Sequence, residues 1–130
     1  MDKILTGIWN LYNGNAALKS ALPGKMWLEV APQSTSMTYA TYNVIDGRPE
    51  YMLKGTMYEI VYIQFDIYAA TNALRLAAYK ALIALYDDAR PAATGYTSIL
   101  MERSLEQLVR DGEQDEIRRA VVDYDVRYQK

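Results

Sequence analysis

Cysteine and histidine are both absent from this 130-residue chain. Their absence removes disulfides, thiolate nucleophiles, most zinc sites and every Ser-His-Asp arrangement. A basic excess is missing too: 14 Lys and Arg stand against 16 Asp and Glu, a net charge of -2, with an isoelectric point near 5.1. Such a balance argues against a sequence-independent grip on nucleic acid, which needs a basic surface. No long apolar run occurs. The most apolar stretch, Ile60 to Tyr86, is interrupted by Gln64, Asp66, Asn72, Arg75 and Lys80, so no membrane span is expected. The start, Met1-Asp2-Lys3-Ile4-Leu5, has no basic segment followed by a clean apolar one, so a signal peptide is not expected and a cytoplasmic chain is the default. Glycine-rich phosphate loops and Gly-x-Ser-x-Gly elbows are likewise missing.

What is present is a globular composition, with 51% hydrophobic and 23% charged residues, sized for one domain over residues 1–130. Its centre is a strand over Met57–Ala69 that runs directly into a helix. Val61, Ile63, Phe65, Ile67 and Ala69 alternate with Ile60, Tyr62, Gln64, Asp66 and Tyr68, giving one apolar and one tyrosine-rich amphiphilic face. Thr71 is a good N-cap for a helix over Asn72–Tyr86, whose Leu74, Ala77, Ala78, Ala81, Leu82 and Leu85 form one stripe.

Around this unit, Ile4, Ile8, Leu11 and Tyr12 keep helical spacing, and a short Ala16–Leu22 piece is stopped by Pro23-Gly24. Short strands are expected over Lys25–Val30 and Thr38–Ile45. Asp46-Gly47-Arg48-Pro49-Glu50 is turn chemistry, and Tyr51-Met52-Leu53-Lys54-Gly55 reads as an apolar loop. Tyr96 to Val109 reads as one strand or two, with Ile99, Met101 and Leu105 inward. In the last strand Ala120, Val122, Tyr124, Val126 and Tyr128 alternate with Arg119, Asp123, Asp125 and Arg127. The order indicates an α+β domain: a mainly antiparallel sheet of four to five strands with two principal helices on one face.

The search for chemistry returns little. Asp111, Glu113, Asp115 and Glu116 fail the calcium-loop template, because Glu116 stands where its glycine belongs and Val122 where its last carboxylate belongs. Asp87-Asp88 at a helix C-terminus opposes the helix dipole and reads as solvated. Asp66 is the one acid expected to be part-buried, paired with an arginine such as Arg103 or Arg127. No catalytic set, cofactor or metal is expected, and the chain does not read as an enzyme. The twelve tyrosines suit a half-buried sheet face or a protein interface better than a nucleic-acid platform, which needs a basic groove. By exposed apolar character, the interface candidates are Tyr51, Met52 and Leu53 with Arg48 in the same loop, then Tyr58 and Tyr62 on the amphiphilic strand face.

Several segments together resemble the tail-completion or tail-terminator proteins of long-tailed bacteriophages. They are Ala17-Leu18-Lys19-Ser20-Ala21-Leu22 after a short N-terminal helix; Val30-Ala31-Pro32-Gln33-Ser34-Thr35 with Thr38-Tyr39-Ala40-Thr41-Tyr42; Ile63 to Thr71; and Arg118 to Tyr128. Where that pattern often carries proline before the first tyrosine, this chain has Thr38. The resemblance implies a non-catalytic virion protein of α+β fold. It implies a homo-oligomeric ring, typically a hexamer, at the head-proximal end of the tail tube. There the ring terminates tube assembly and meets a tail-tube protein and a head–tail connector, and DNA passes through without specific binding. The rival reading is a small cytoplasmic protein- or ligand-binding module, a dimer using the tyrosine face.

Overall fold

The computed structural model describes residues 2–51, 57–96, 98–110 and 118–129. Three helices and five strands follow one another: α1 (Asp2–Asn13), α2 (Ala16–Ala21), β1 (Met26–Leu28), β2 (Tyr39–Tyr51), β3 (Met57–Ala69), α3 (Asn72–Tyr86), β4 (Ser98–Arg110) and β5 (Arg118–Gln129). The strands form one sheet in the order β1-β2-β3-β5-β4. Every pairing is antiparallel except β1 with β2, which is parallel. The fold is therefore α+β with a mixed sheet, and β3 and β5 lie at its centre.

The expected β3–α3 unit forms with the expected limits. Thr71 sits in extended backbone and its side chain accepts from the Leu74 N–H at 3.2 Å, satisfying one orphan donor of the first turn. Asn15 does the same for α2, accepting from Leu18 N–H at 2.8 Å, which gives a six-residue helix a defined start. Val61, Ile63, Phe65, Ile67 and Ala69 are all buried. On that face they meet Ile4, Ile8 and Tyr12 of α1, Leu18 of α2, and Ala78, Leu82 and Tyr86 of α3. The helical stripe is only half used: Ala78 and Leu82 are buried, whereas Leu74 is exposed and Leu76, off the stripe, is exposed as well.

Three further expectations are corrected. Strand β2 does not end at Ile45 but runs through the turn-like Asp46–Glu50 to Tyr51, pairing with β3 up to Tyr51↔Met57. A bulge between Val44 and Asp46 absorbs one residue, and Pro49 is tolerated because β2 is free on its other side there among the described residues. Leu105 does not face inward. A register shift between Arg103 and Leu105 flips the alternation, and Leu105 is 46% exposed. Asp87 is not a solvated helix-end acid: its Oδ1 accepts from the Tyr124 hydroxyl at 2.7 Å and its Oδ2 lies 3.4 Å from Arg103 Nη2.

Tyrosines supply much of the core. Tyr86 donates to the Ile8 carbonyl at 2.7 Å, Tyr128 to Glu59 Oε2 at 2.6 Å, and Tyr12 and Tyr42 are also buried. Burial pushes the Tyr86, Tyr124 and Tyr128 hydroxyls far above their usual range; the carboxylates of Asp87 and Glu59 add to this for Tyr124 and Tyr128. In the unfolded chain these phenols ionise near 10. The folded state thus holds protons that the unfolded state releases, and stability falls as pH rises above about 10. Alkaline titration followed by circular dichroism should show cooperative unfolding coincident with tyrosinate absorption, instead of free ionisation of these rings in a folded protein.

Candidate assembly surface

Among the described residues the three helices cover one face of the sheet only, so residues of the opposite alternation form an open face. One end of it is a layer of rings and charges. Tyr39 and Tyr68, opposite each other in β2 and β3, stack at 4.9 Å with planes 22° apart. The Arg119 guanidinium lies 5.7 Å from the Tyr68 ring centre. It donates to Asp66 Oδ1 through Nε at 3.0 Å and Nη2 at 2.7 Å. Asp66 is 7% exposed, so a paired cation is what keeps a carboxylate there. The partner is Arg119, not Arg103 or Arg127, because β5 register puts Arg119 diagonally across from Asp66.

The centre of the face is a row in register, polar at Asn43, Gln64 and Asp123 of β2, β3 and β5 and ending at the apolar Leu105 of β4. Burial raises the Asp123 carboxyl above the usual carboxylate range; the hydrogen bond from Gln64 works against this, and Asp66 and Asp125 add to it. The next row places Tyr62, Asp125 and Glu102 together, and Arg127 bonds Glu102 at 2.7 Å. Among the residues whose side chains are described, four carboxylates (Asp66, Asp123, Asp125 and Glu102) thus share the face with two arginines, Arg119 and Arg127. Since ionised Asp123 opposes folding only above the unfolded carboxylate range, Asp123→Asn should raise the melting temperature at pH 7. The gain should shrink as pH falls toward 4, where the wild-type residue also becomes neutral. A variant no more stable than wild type at pH 7 would show that this carboxylate sits comfortably in water.

The other notable surface is the β1 edge. Trp9 of α1, 39% exposed, and Leu28 of β1, 46% exposed, stand over Leu5 and Tyr42 in a groove of about 270 Å³. This continues into a second groove of about 640 Å³ that adds Tyr12, Leu22 and Trp27, with Lys19 and Lys25 among its lining residues. Val30, Val44 and Ile45 extend the exposed apolar surface along the same edge.

The expected interface residues are partly gathered. Arg48 and Tyr51 lie on β2, and Tyr58 and Tyr62 on β3, in the far half of this hairpin. In register, Arg48 stands opposite Ile60 and Tyr51 opposite Met57. Tyr62 is half-buried and already has a contact within the chain. Met52 and Leu53 lie outside the described residues, as do Asp111, Glu113, Asp115 and Glu116. The sequence reading passed over Leu28, Val44, Ile45 and Leu76. Leu76 had a signal, a large apolar residue off the stripe of an amphipathic helix. Among the described residues, no cluster of carboxylates is arranged to hold a metal ion, and no helix is long and apolar enough to cross a membrane.

The sequence profile of the family described as Tail completion protein gp17 matches residues 8–129. Among curated proteins no sequence matches. Among solved structures the chain is similar to one from the virion of a native gene transfer agent particle. The TM-score is 0.81 at 15% identity, over 95% of this chain and 92% of that one.

Proposed function

The chain belongs to the Tail completion protein gp17 family, a family of structural tail proteins of the virion, and from that membership we propose how it acts there. Copies of residues 1–130, each one domain, close into a ring, a hexamer, at the head-proximal end of the tail. The ring terminates the tail tube, meets the head connector, and lets DNA pass. The observation that carries this reading is the family match over almost the whole chain, residues 8–129. Two features of the surface support it. The open sheet face is rich in carboxylates, which repel a phosphate backbone and keep a passing duplex from sticking. The exposed Trp9 and Leu28, with Val44 and Ile45 along the same edge, offer apolar surface of the kind a neighbouring subunit covers. Nothing in this role asks for catalysis, and the chain acts as a structural protein.

Light scattering on the purified protein across a range of concentration and salt tests the ring. A mass six times that of the 14.8 kDa chain is the expected result, with Tyr51-Met52-Leu53 replaced by serines falling back to smaller species. A stable dimer unaffected by those replacements would sink the ring and favour the binding-module alternative.

A further inference from the structure

Both edges of the sheet are open, and they are unlike each other. On one side, β1 covers β2 only from Ala40 to Tyr42. The chain then leaves: Glu29 takes a left-handed φ of 65°, its N–H makes a last bond to the Tyr42 carbonyl at 2.9 Å, and Val30 turns back to the Leu28 carbonyl at 2.8 Å. Backbone groups of alternate residues point outward here. The Ala40 N–H donates to the Lys25 carbonyl at 3.0 Å and the Tyr42 carbonyl accepts from Glu29, so Val44 is next in that outward series. Among the described residues no strand meets it. Pro49 has no N–H, which limits the stretch with a full set of donors to Asn43–Arg48. On the other side, β4 pairs only with β5 among the described residues: its outer edge is met at Met101, whose N–H donates to the Ala89 carbonyl at 2.9 Å, and no strand pairs it beyond that point.

We propose that the outer edge of β2 from Asn43 to Arg48 is paired by the outer edge of β4 of a neighbouring copy. This rests on the ring reading given above and names the contact that builds the ring. The topology favours a second copy as the occupant. Following the pairings across the sheet, β2 and β5 run one way and β3 and β4 the other. Rotation about an axis along the strands leaves those directions unchanged. It therefore brings β4 of one copy against β2 of the next in the antiparallel sense, without turning either molecule over. Because the two edges differ, the contact is heterologous, the kind that propagates until it closes. It also covers what each edge leaves bare: Val44 and Ile45 on one and Leu105 on the other. An open strand edge flanked by apolar side chains otherwise invites unspecific pairing. A copy of the same chain offers the matching edge.

The absence of cysteine makes the test clean. Val44→Cys and Leu105→Cys are each made alone, Val44→Cys is combined in turn with one cysteine at each position from 102 to 107, and the full-length variants are mildly oxidised. A disulfide needs Cα atoms roughly 4.4–6.8 Å apart, so only positions brought into register will join. The expected result is a covalent ladder up to the full subunit number for one or two of these pairs, and none for Val44→Cys alone. Light scattering and amide exchange on the wild-type protein accompany it, with slowed exchange expected at Val44 and along β4 in the assembled form. A ring by mass with no pair joining and no slowed edge amides overturns the edge contact and leaves the ring standing. A monomer at every concentration, with no ladder, overturns both. Dimers from Leu105→Cys alone would mean β4 pairs with β4 around a two-fold axis, which also overturns it.

Discussion

Replacing Tyr86 with alanine is expected to cost about 3–5 kcal/mol of folding stability, while Tyr86→Phe costs only about 1 kcal/mol. The side chain is fully buried at the C-terminus of α3. Its ring stacks on Phe65 at 4.8 Å and meets Tyr124 edge-on at 6.2 Å, so its loss empties a site shared by α3, β3 and β5. Its hydroxyl reaches across to the Ile8 carbonyl of α1 at 2.7 Å and so ties the first helix to the last. The phenylalanine variant keeps the ring and its stacking and gives up that bond alone. The Ile8 carbonyl belongs to a helix interior and keeps a partner there, which limits the penalty. Urea unfolding of the two variants separates the ring from the hydroxyl. Equal losses for alanine and phenylalanine would mean that the neighbours close over the vacated space and that the ring is not the centre of the core.

The elements carried by local signals were legible in the sequence, and those set by distant partners were not. Strand β3 and helix α3 coincide with their expected limits, because an alternating run, a threonine cap and a periodic stripe all act within one segment. Strand β5 was equally plain, its burial alternating residue by residue from Val122 to Tyr128. The length of β2 was not. Asp46-Gly47 and Pro49 are ordinary turn residues, and only the thirteen-residue β3 beside them draws them into a strand. Leu105 was misplaced by a one-residue bulge, which leaves no mark in composition. The Asp66–Arg119 pair needed the β3–β5 register, a long-range property that single residues do not announce. At the candidate surface, tyrosine enrichment drew the reading to the β2–β3 hairpin that carries Arg48, Tyr58 and Tyr62. It gave no hint of the β1 edge, where Trp9 and Leu28 stand exposed beside a strand of only three residues.

Gly24→Ala is expected to cost roughly 3 kcal/mol, at the upper end of what overpacking does, although the substitution adds a single methyl group. A Cβ at this position would overlap the Ser36 carbonyl oxygen and fall 2.8 Å from the Tyr39 Cβ. Both neighbours are fixed. The Ser36–Tyr39 segment is held by the Gly24 N–H, which donates to the Thr38 carbonyl at 2.8 Å, and Tyr39 begins β2 while stacking on Tyr68. Backbone must therefore move, and the bond from Trp27 Nε1 to the Gly24 carbonyl at 2.7 Å moves with it. The consequence reaches function: β1 loses its seat on β2, the groove under Trp9 and Leu28 loses its shape, and the step that leaves the β2 edge open is disturbed. Gly14→Ala is the control. A Cβ there meets its nearest described atom, the Asn10 carbonyl oxygen, at 3.5 Å, so stability should hold or rise slightly. Thermal unfolding followed by tryptophan emission reads both variants, since Trp27 reports on the β1 turn. Assembly should fail in Gly24→Ala at temperatures where the chain is still folded. A Gly24→Ala protein that melts and assembles like wild type would mean the Ser36–Tyr39 segment yields freely, and β1 would then not be what shapes this edge.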